Sequence, residues 1–437
     1  MPVTVHIPTA LRKFTGGAQT AQLIAAELPD LLDQLGAQFP DISRHIRDDR
    51  GEVRRFVNIY VNDEDIRFLG GAAYRFRDGD VVLLVPSIAG GAASVGATSA
   101  SAAADTRWVA ASAPASSANL GCAFDCAAIA LNLRLRARAL LTPDTGFVVS
   151  YRGPNAERVP NDASNLVTQG MLRFTAAKNA RISGARLEIE SEIPVGVGLG
   201  SSAAATVCGL LLGSALLDLP ADREEILALA AEIEGHPDNA AACCHGGLVF
   251  AASQEGGGVI FARTLLPPEL RMLAIVPATA MLTRASRAVL PQEYSHADVV
   301  HNLQRASLLA ARCFSGSGVL DALQQEFFRD RLHQPYRVPA VPGLAECLEV
   351  RHPGLLGVCL SGSGSAALAF VRAHDEEIAG LLVEPLAARG ENPTVLFLCQ
   401  DEHGAQLESI GGFHAAPAQH ELFARAVAVS EDVQCRS

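Results

Sequence analysis

PVGVGLGSSAAATVCGLLLGSALL, residues 194–217, is the stretch on which the fold turns. A strand-like run, Ala185 to Ile193, precedes it, and a helix-forming run, Ala203 to Leu217, completes it. Glycines at 196, 198 and 200 let the backbone turn its N–H groups toward a ligand. The helix start adds its own free N–H groups and roughly half a unit of positive charge. Ser201 and Ser202 can donate to phosphate or ligate Mg²⁺. The loop is therefore an anion cradle without lysine. It lacks the GK[ST] ending of a Walker loop, and no acidic residue follows at the spacing of a dinucleotide fingerprint. Residues 195–217 carry no charge, but the glycine turn leaves too short an apolar run to span a bilayer, so a buried helix is expected.

The composition bounds the rest. A chain of 437 residues suggests two or three domains, and 49% apolar with 19% charged residues excludes a disordered or coiled-coil protein. The net charge of −12 argues against a nucleic-acid partner, because phosphate backbones select basic surfaces. Lys13 and Lys178 are the two lysines in the chain, so an anion site must rely on Arg, backbone N–H groups or a metal. The N-terminal residues MPVTVHIPTALRKF have no long apolar core, so neither a secretory signal nor a membrane partner is expected. Ten cysteines with no CxxC pair and no zinc spacing read as reduced core thiols of a cytoplasmic protein.

Three segments follow from local composition. Residues 92–104, AASVGATSASAAA, bury too little apolar area to offset their ordering entropy and read as part of a flexible linker, 92–106. Ahead of it, VTVHIP (3–8) alternates as a strand, residues 20–37 place apolar side chains at helical spacing, and RRFVNIYVN (54–62) alternates again. Asp78-Gly79 marks a turn, and VVLLVPSIAGG (81–91) ends on the diglycine Gly90-Gly91, a side-chain-free tip able to enter a narrow channel. Together with IPTALRKFTGG and DGDVVLLVPSIAGG, this pattern resembles the ubiquitin-like sulfur carriers of the ThiS/MoaD type over residues 1–91. The resemblance implies a β-grasp domain whose last glycine becomes a thiocarboxylate. It also implies an E1-like activating enzyme and a sulfur-transfer synthase as partners. Because Ala92 follows Gly91, a processing protease would have to cut there first. A carrier fold kept solely for docking is the alternative.

Beyond the linker, two more glycine turns accompany the cradle. APASSANLGCAFD (113–125) follows a short strand, and GVCLSGSGSAALAF (357–370) reads as strand, glycine turn, strand. Three such elements in this order, with EGHPDN (234–239), TRASRAVLP (283–291) and PYRVPAVPG (335–343), resemble the GHMP family of small-molecule kinases, and within it the homoserine kinases. The resemblance implies an α+β fold with a ribosomal-S5-like ATP-binding lobe at 107–265, a ferredoxin-like lobe at 266–411 and a tail at 412–437. It places the ATP phosphates on Pro194, Gly196, Gly198, Leu199, Gly200, Ser201, Ser202 and Ala203, and Mg²⁺ on Ser202 and Glu234. Asn119, Asp125, His236, Asp238 and Asn239 would surround an amino-acid substrate, with Thr283, Arg287 and Arg337 on its carboxylate or the moving phosphate. Of these, Asn119, Asp125, Arg287 and Arg337 are the catalytic candidates. Chemistry agrees, since Arg suits bidentate carboxylate or phosphate recognition and a carboxylate suits an ammonium.

The pattern departs from the family at Ala123, where Gly is usual, at DNAAACC (238–244), and at Ser365, where Pro is frequent. These departures bear on substrate identity more than on kinase chemistry. Glu326 and Asp330, four apart, read as an exposed helix face, Lys178 as a solvated charge, and His420–Val429 as a last amphipathic helix. The expected activity is ATP- and Mg²⁺-dependent phosphorylation of the homoserine side-chain hydroxyl, coupled through the carrier to thio-amino-acid synthesis. A GHMP kinase for another small alcohol, and a sulfur carrier on a non-catalytic kinase-like scaffold, are the other readings. A homodimer is left open.

Overall fold

The computed structural model describes residues 2–47 and 107–410, except 8, 13, 280–282 and 317, together with 53, 57–62, 64–66, 71 and 74–86. The diglycine Gly90-Gly91, the linker and the C-terminal segment from residue 411 lie outside the described residues. The chain divides into two compact units, Met1–Ser101 and Ala102–Ser437.

In the first unit, strand Pro2–His6 alternates Val3 and Val5 inward against outward Pro2 and His6. It pairs antiparallel with Thr20–Ile24 and parallel with Val81–Pro86, which in turn pairs antiparallel with Val57–Val61. A short strand, Glu64–Asp65, completes a five-stranded mixed sheet. Helix Leu28–Gln38 starts on Pro29 and buries Leu28, Leu31, Leu32 and Leu35. The helix expected over 20–37 is thus a strand followed by a shorter helix. Ala21 and Leu23 point inward on a period of two, and Ile24, which is 72% exposed, gave the segment its helical look.

The second unit begins with Val109–Ala118, a strand of ten residues that already contains the first part of APASSANLGCAFD. It pairs with Ala127–Leu141, and Gly184–Ser191, Gly146–Arg152, Leu248–Ser253 and Val259–Thr264 extend the sheet. Its seventh strand is Gln406–Glu408, which returns from the far end of the described chain to pair with Val109–Ala118. A second, four-stranded antiparallel sheet has the order Leu355–Leu360, Ala367–Val371, Arg271–Val276, Thr394–Leu398. Alternation divides its faces. Leu273, Ile275, Val358 and Leu360 pack on Ile378, Leu382 and Leu386 of helix Asp375–Ala387, while Met272, Ala274, Leu368 and Phe370 join the core of the large sheet.

Helix Ser201–Leu216 runs through that shared core, with residues 203–210 all buried. It packs closely on helix Leu166–Ala177 through glycine. A Cβ on Gly209 would lie 2.1 Å from the Val167 carbonyl oxygen, and one on Gly170 would lie 2.4 Å from that of Thr206. Among the described residues, no helix is long and apolar enough to cross a membrane. Gly209→Val is therefore expected to destabilise the second unit by about 3 kcal/mol through backbone overlap. Gly380→Ala, where added volume meets nothing within 4 Å, is expected to be neutral or slightly stabilising. Denaturant unfolding of the two variants beside the parent chain checks both.

Candidate functional site

The cradle is built by close approach of three glycine-rich turns. Gly196, Gly198 and Gly200 adopt φ values of 78°, 86° and 70°, a left-handed path that β-carbons disfavour. Space imposes glycine as well. A Cβ on Gly198 would meet the Ser361 carbonyl oxygen at 2.1 Å, and one on Gly200 would meet Ser116 Oγ at 2.1 Å. Ser361 Oγ donates to the Gly198 carbonyl at 2.7 Å and lies 2.8 Å from Ser117 Oγ. Ala366 N donates to the Val197 carbonyl, and Ser116 N to that of Leu199. Gly200 caps the helix without a side chain, so no side-chain oxygen occupies the amides of the first turn. The cradle can therefore take an anion.

Helix Arg223–Glu234 ends beside that turn on Gly235, whose φ of 78° closes the helix. Glu234 Oε1 accepts from Ser202 Oγ at 2.8 Å and from Thr206 Oγ1 at 3.2 Å. No cation is ion-paired to Glu234 among the described residues, and burial pushes its carboxyl above the usual range, against the opposing bonds from Ser202 and Thr206. A half-buried carboxylate with hydroxyl oxygens beside it is a hard-donor set, which fits Mg²⁺.

The next turn opens helix Asp238–His245. Buried Asp238 takes His236 Nδ1 at 2.6 Å and the Asn239 amide at 2.7 Å. Burial lowers the His236 pKa, but the Asp238 bond and the charges of Asp238, Asp125 and Glu234 outweigh it, so the net shift is upward. Asn239 Oδ1 accepts from Ser116 Oγ at 2.8 Å, which links this turn to the cradle wall. Ligand atoms of Asp125, His236 and Asp238 lie within 4.8 Å of one another.

Asn119 connects the other two turns. Its Nδ2 donates to the Gly362 carbonyl at 2.8 Å, and its Oδ1 accepts from the Asp125 amide at 2.9 Å. Asp125, held at φ 53°, accepts from Arg287 Nη2 at 2.7 Å. Arg287 sits in helix Thr283–Ala288, and the side chain of Thr283 lies outside the described residues. Arg337 is buried, with 2% of its surface exposed. Its Nε donates to the Ser286 carbonyl at 3.1 Å and its Nη1 to that of Gly362 at 3.3 Å, with the Phe124 ring 5.3 Å below. Burial and Arg287 lower its pKa to about 10, so the guanidinium stays charged.

Several contributors were not visible in the motifs. His333, wholly buried, places Nε2 2.8 Å from the Gly121 carbonyl and Nδ1 3.3 Å from Arg337 Nη1. That pattern fits a neutral ring with its proton on Nε2, and burial lowers its pKa accordingly. Asp330 is not on an exposed helix face. It is buried in a turn, where it accepts from Asn302 Nδ2 and from the amides of Leu332, His333 and Gln334. Glu326 is exposed and pairs with Arg305, as its helix-face reading required. Lys178 pairs with Glu225 at 2.7 Å over the Phe174 ring and so is not free in solvent. Thr206, one turn after Ser202, shares its helix face by the i, i+4 spacing and so also reaches Glu234, and that spacing is the sequence signal for it.

Comparison with known proteins adds the relatives. Residues 165–247 match the family of GHMP kinases, N terminal domain, and residues 5–91 match the ThiS family. The homoserine kinase of Solibacter usitatus is 39% identical over 307 residues, 70% of this chain and 98% of that protein. That of Deinococcus radiodurans is 42% identical over 265 residues, 60% of this chain and 83% of its own length. The crystal structure of homoserine kinase from Cytophaga hutchinsonii superimposes with a TM-score of 0.61 at 25% identity, covering 69% of this chain and 97% of that one. The chain belongs to the homoserine kinase family of ATP-dependent GHMP kinases, with a ThiS-family domain at residues 5–91 fused ahead of the kinase match.

Proposed function

We propose that the second unit is a Mg²⁺-dependent homoserine kinase producing O-phosphohomoserine in the cytoplasm. One observation carries the reading. The hydrogen bonds Ser361–Gly198 and Asn119–Gly362 join the anion cradle and the Asp125–Arg287 pair into one site. A phosphate donor and a zwitterionic acceptor can thus be held side by side, and alignment is most of what phosphoryl transfer needs.

The residues divide the work by charge. First-turn amides at Ser201, Ser202 and Ala203, with the glycine loop, would bind the phosphates of ATP. Ser202 Oγ and the Glu234 carboxylate would hold Mg²⁺, which when bound neutralises charge on the phosphates. Asp125 would take the substrate ammonium and Arg287 its carboxylate, while Asn119 sets the position of Asp125 through the 2.9 Å amide bond. His236, Asp238, Asn239, Thr283 and Arg337 would shape the remaining wall. Arg337, anchored to two carbonyls, would add fixed positive potential near the moving phosphate.

We further propose that residues 1–91 act as a sulfur carrier, used after cleavage between Gly91 and Ala92. An activating E1-like enzyme, a processing protease and a sulfur-transfer synthase would be its partners. The support is a ThiS-family match that ends on residue 91. The kinase product would carry a phosphate leaving group that a sulfur nucleophile can displace, which gives the fusion a chemical logic.

Incubation of the purified chain with ATP, Mg²⁺ and homoserine is expected to give ADP and an amino acid heavier by one phosphoryl group. Asp125→Asn should raise KM for homoserine at least about tenfold, consistent with loss of a charge-assisted contact. No ADP with homoserine, but turnover of another small alcohol, would replace the substrate; no turnover at all would favour the scaffold. Because the Glu234 carboxyl titrates above the usual range, protonation competes with the metal earlier than at an ordinary carboxylate. Apparent Mg²⁺ affinity should therefore fall as pH is lowered, and Glu234→Gln should weaken Mg²⁺ binding and flatten that dependence. Intact mass of the protein from producing cells tests the carrier: a released 1–91 fragment supports it, and a persistently full-length chain opposes it.

A further inference from the structure

A second cationic site lies at the other end of the two helices that carry Glu234 and Asp238. Arg223, His245, Arg263, Glu402, His403 and Gln406 line an open cavity of about 330 Å³. Its guanidinium groups are anchored from behind by backbone. Arg263 Nε donates to the carbonyls of His245 and Gly246 at 3.0 and 3.1 Å, and its Nη2 to that of Glu402 at 2.5 Å. Arg223 Nη1 donates to the His403 carbonyl at 3.0 Å. Among the described residues, neither arginine is ion-paired with a carboxylate, although Glu402 lies on the same rim. His245 packs against Phe261 with ring centroids 4.3 Å apart and the planes tilted by 33°, and its buried Nε2 has no hydrogen-bond partner. Two backbone-anchored guanidinium groups without an ion pair, beside the His245 ring and with Glu402 and Glu224 as the nearby acids, form a receptor for a small anion.

Its position gives the cavity a consequence. Arg223 is the first residue of helix Arg223–Glu234, and His245 is the last of helix Asp238–His245. The two helices pack on each other as a hairpin. The tip holds Glu234, His236, Asp238 and Asn239, and the open end holds the cavity. Helices of 12 and 8 residues span roughly 16 and 10 Å from one end to the other.

We propose that this cavity is an effector site for a small polyanion, a phosphate or a di- or tricarboxylate, whose binding shifts the hairpin tip. The coupling rests on the reading of Glu234 and Asp238 as active-site groups; the anion site itself does not. An anion bridging Arg223 and Arg263 would draw the start of helix Arg223–Glu234 toward the end of helix Asp238–His245, because Arg263, on strand Val259–Thr264, is bonded to the His245 and Gly246 carbonyls. The same rigid rods would then move the carboxylates at the other end.

Calorimetric titration of the full chain, saturated with ADP so that the glycine loop is filled, tests the binding. Inorganic phosphate and citrate serve as separate probes for the two ligand chemistries. At least one is expected to bind the parent chain, and Arg263→Gln and Arg223→Gln are each expected to weaken it about tenfold or more, with the affinity falling as salt rises. Arg263 anchors three carbonyls and its replacement risks misfolding, so Arg223→Gln, which loses one such bond, keeps the test decisive. Hydrogen exchange of residues 234–239 reads the coupling without kinase turnover, and should change on adding the probe to the parent chain but not to Arg223→Gln. Binding of neither probe, or equal affinity in parent and both variants, overturns the site. Binding without any change at 234–239 overturns the effector role. Absence of homoserine phosphorylation would bear on the kinase reading and leave these measurements interpretable.

Discussion

The backbone of the glycine loop at Gly198 lies so close to the turn at 361–364 that no side chain fits between them, and the arrangement of the site follows from that contact. The loop belongs to the large sheet and the turn to the small one. Their junction therefore fixes how the two sheets meet. Ser361 secures the contact by donating to the Gly198 carbonyl, and Asn119 extends it by joining Gly362 to Asp125. A few buried polar bonds thus hold three chain segments, distant in sequence, around the glycine loop. Being buried, these groups are costly to leave unpaired, so the arrangement resists slippage.

Charge is distributed with the same economy. With two lysines in 437 residues, cations must come from arginine, from helix amides or from metal. At the site, Arg287 is offered to solvent and paired with Asp125, whereas Arg337 is buried and tied to backbone carbonyls. The first can exchange partners when a ligand arrives; the second supplies a fixed field. Asp330, its side chain fully buried, accepts from Asn302 and from three amides just ahead of and at the start of the short helix Gln334–Arg337. One helical hairpin carries Glu234 and Asp238 at its tip, and at its base Arg223 sits among Asp222, Glu224 and Glu225 beside Arg263 of strand Val259–Thr264. Such a pair of rods is suited to relaying small shifts.

Much of the candidate site was legible in linear sequence, because its chemistry is local. A glycine turn followed by serines states its purpose within eight residues, and EGHPDN places Glu234, His236, Asp238 and Asn239 on one bend. His333, Asp330, Asn302 and Ser286 were not legible. Each acts through burial against segments far away in the chain, and nothing in the neighbouring residues signals it. The strand Thr20–Ile24 was missed for a related reason: an exposed isoleucine imitated a helical stripe, and only pairing with Pro2–His6 shows which face is inside.

The sequence by itself determined the families of the two folded segments, the small, uncharged composition of residues 92–104 and the lysine-free character of the anion cradle. These depend on residue type and short spacing. Tertiary structure alone decided that Arg337 is buried, that Gln406–Glu408 returns to the seven-stranded sheet of the second unit, and that Arg223 and His245 share a cavity. These depend on which surfaces meet after the helices and sheets have formed. Packing between distant segments leaves no periodic trace along the chain, and so it could be read only from the folded molecule.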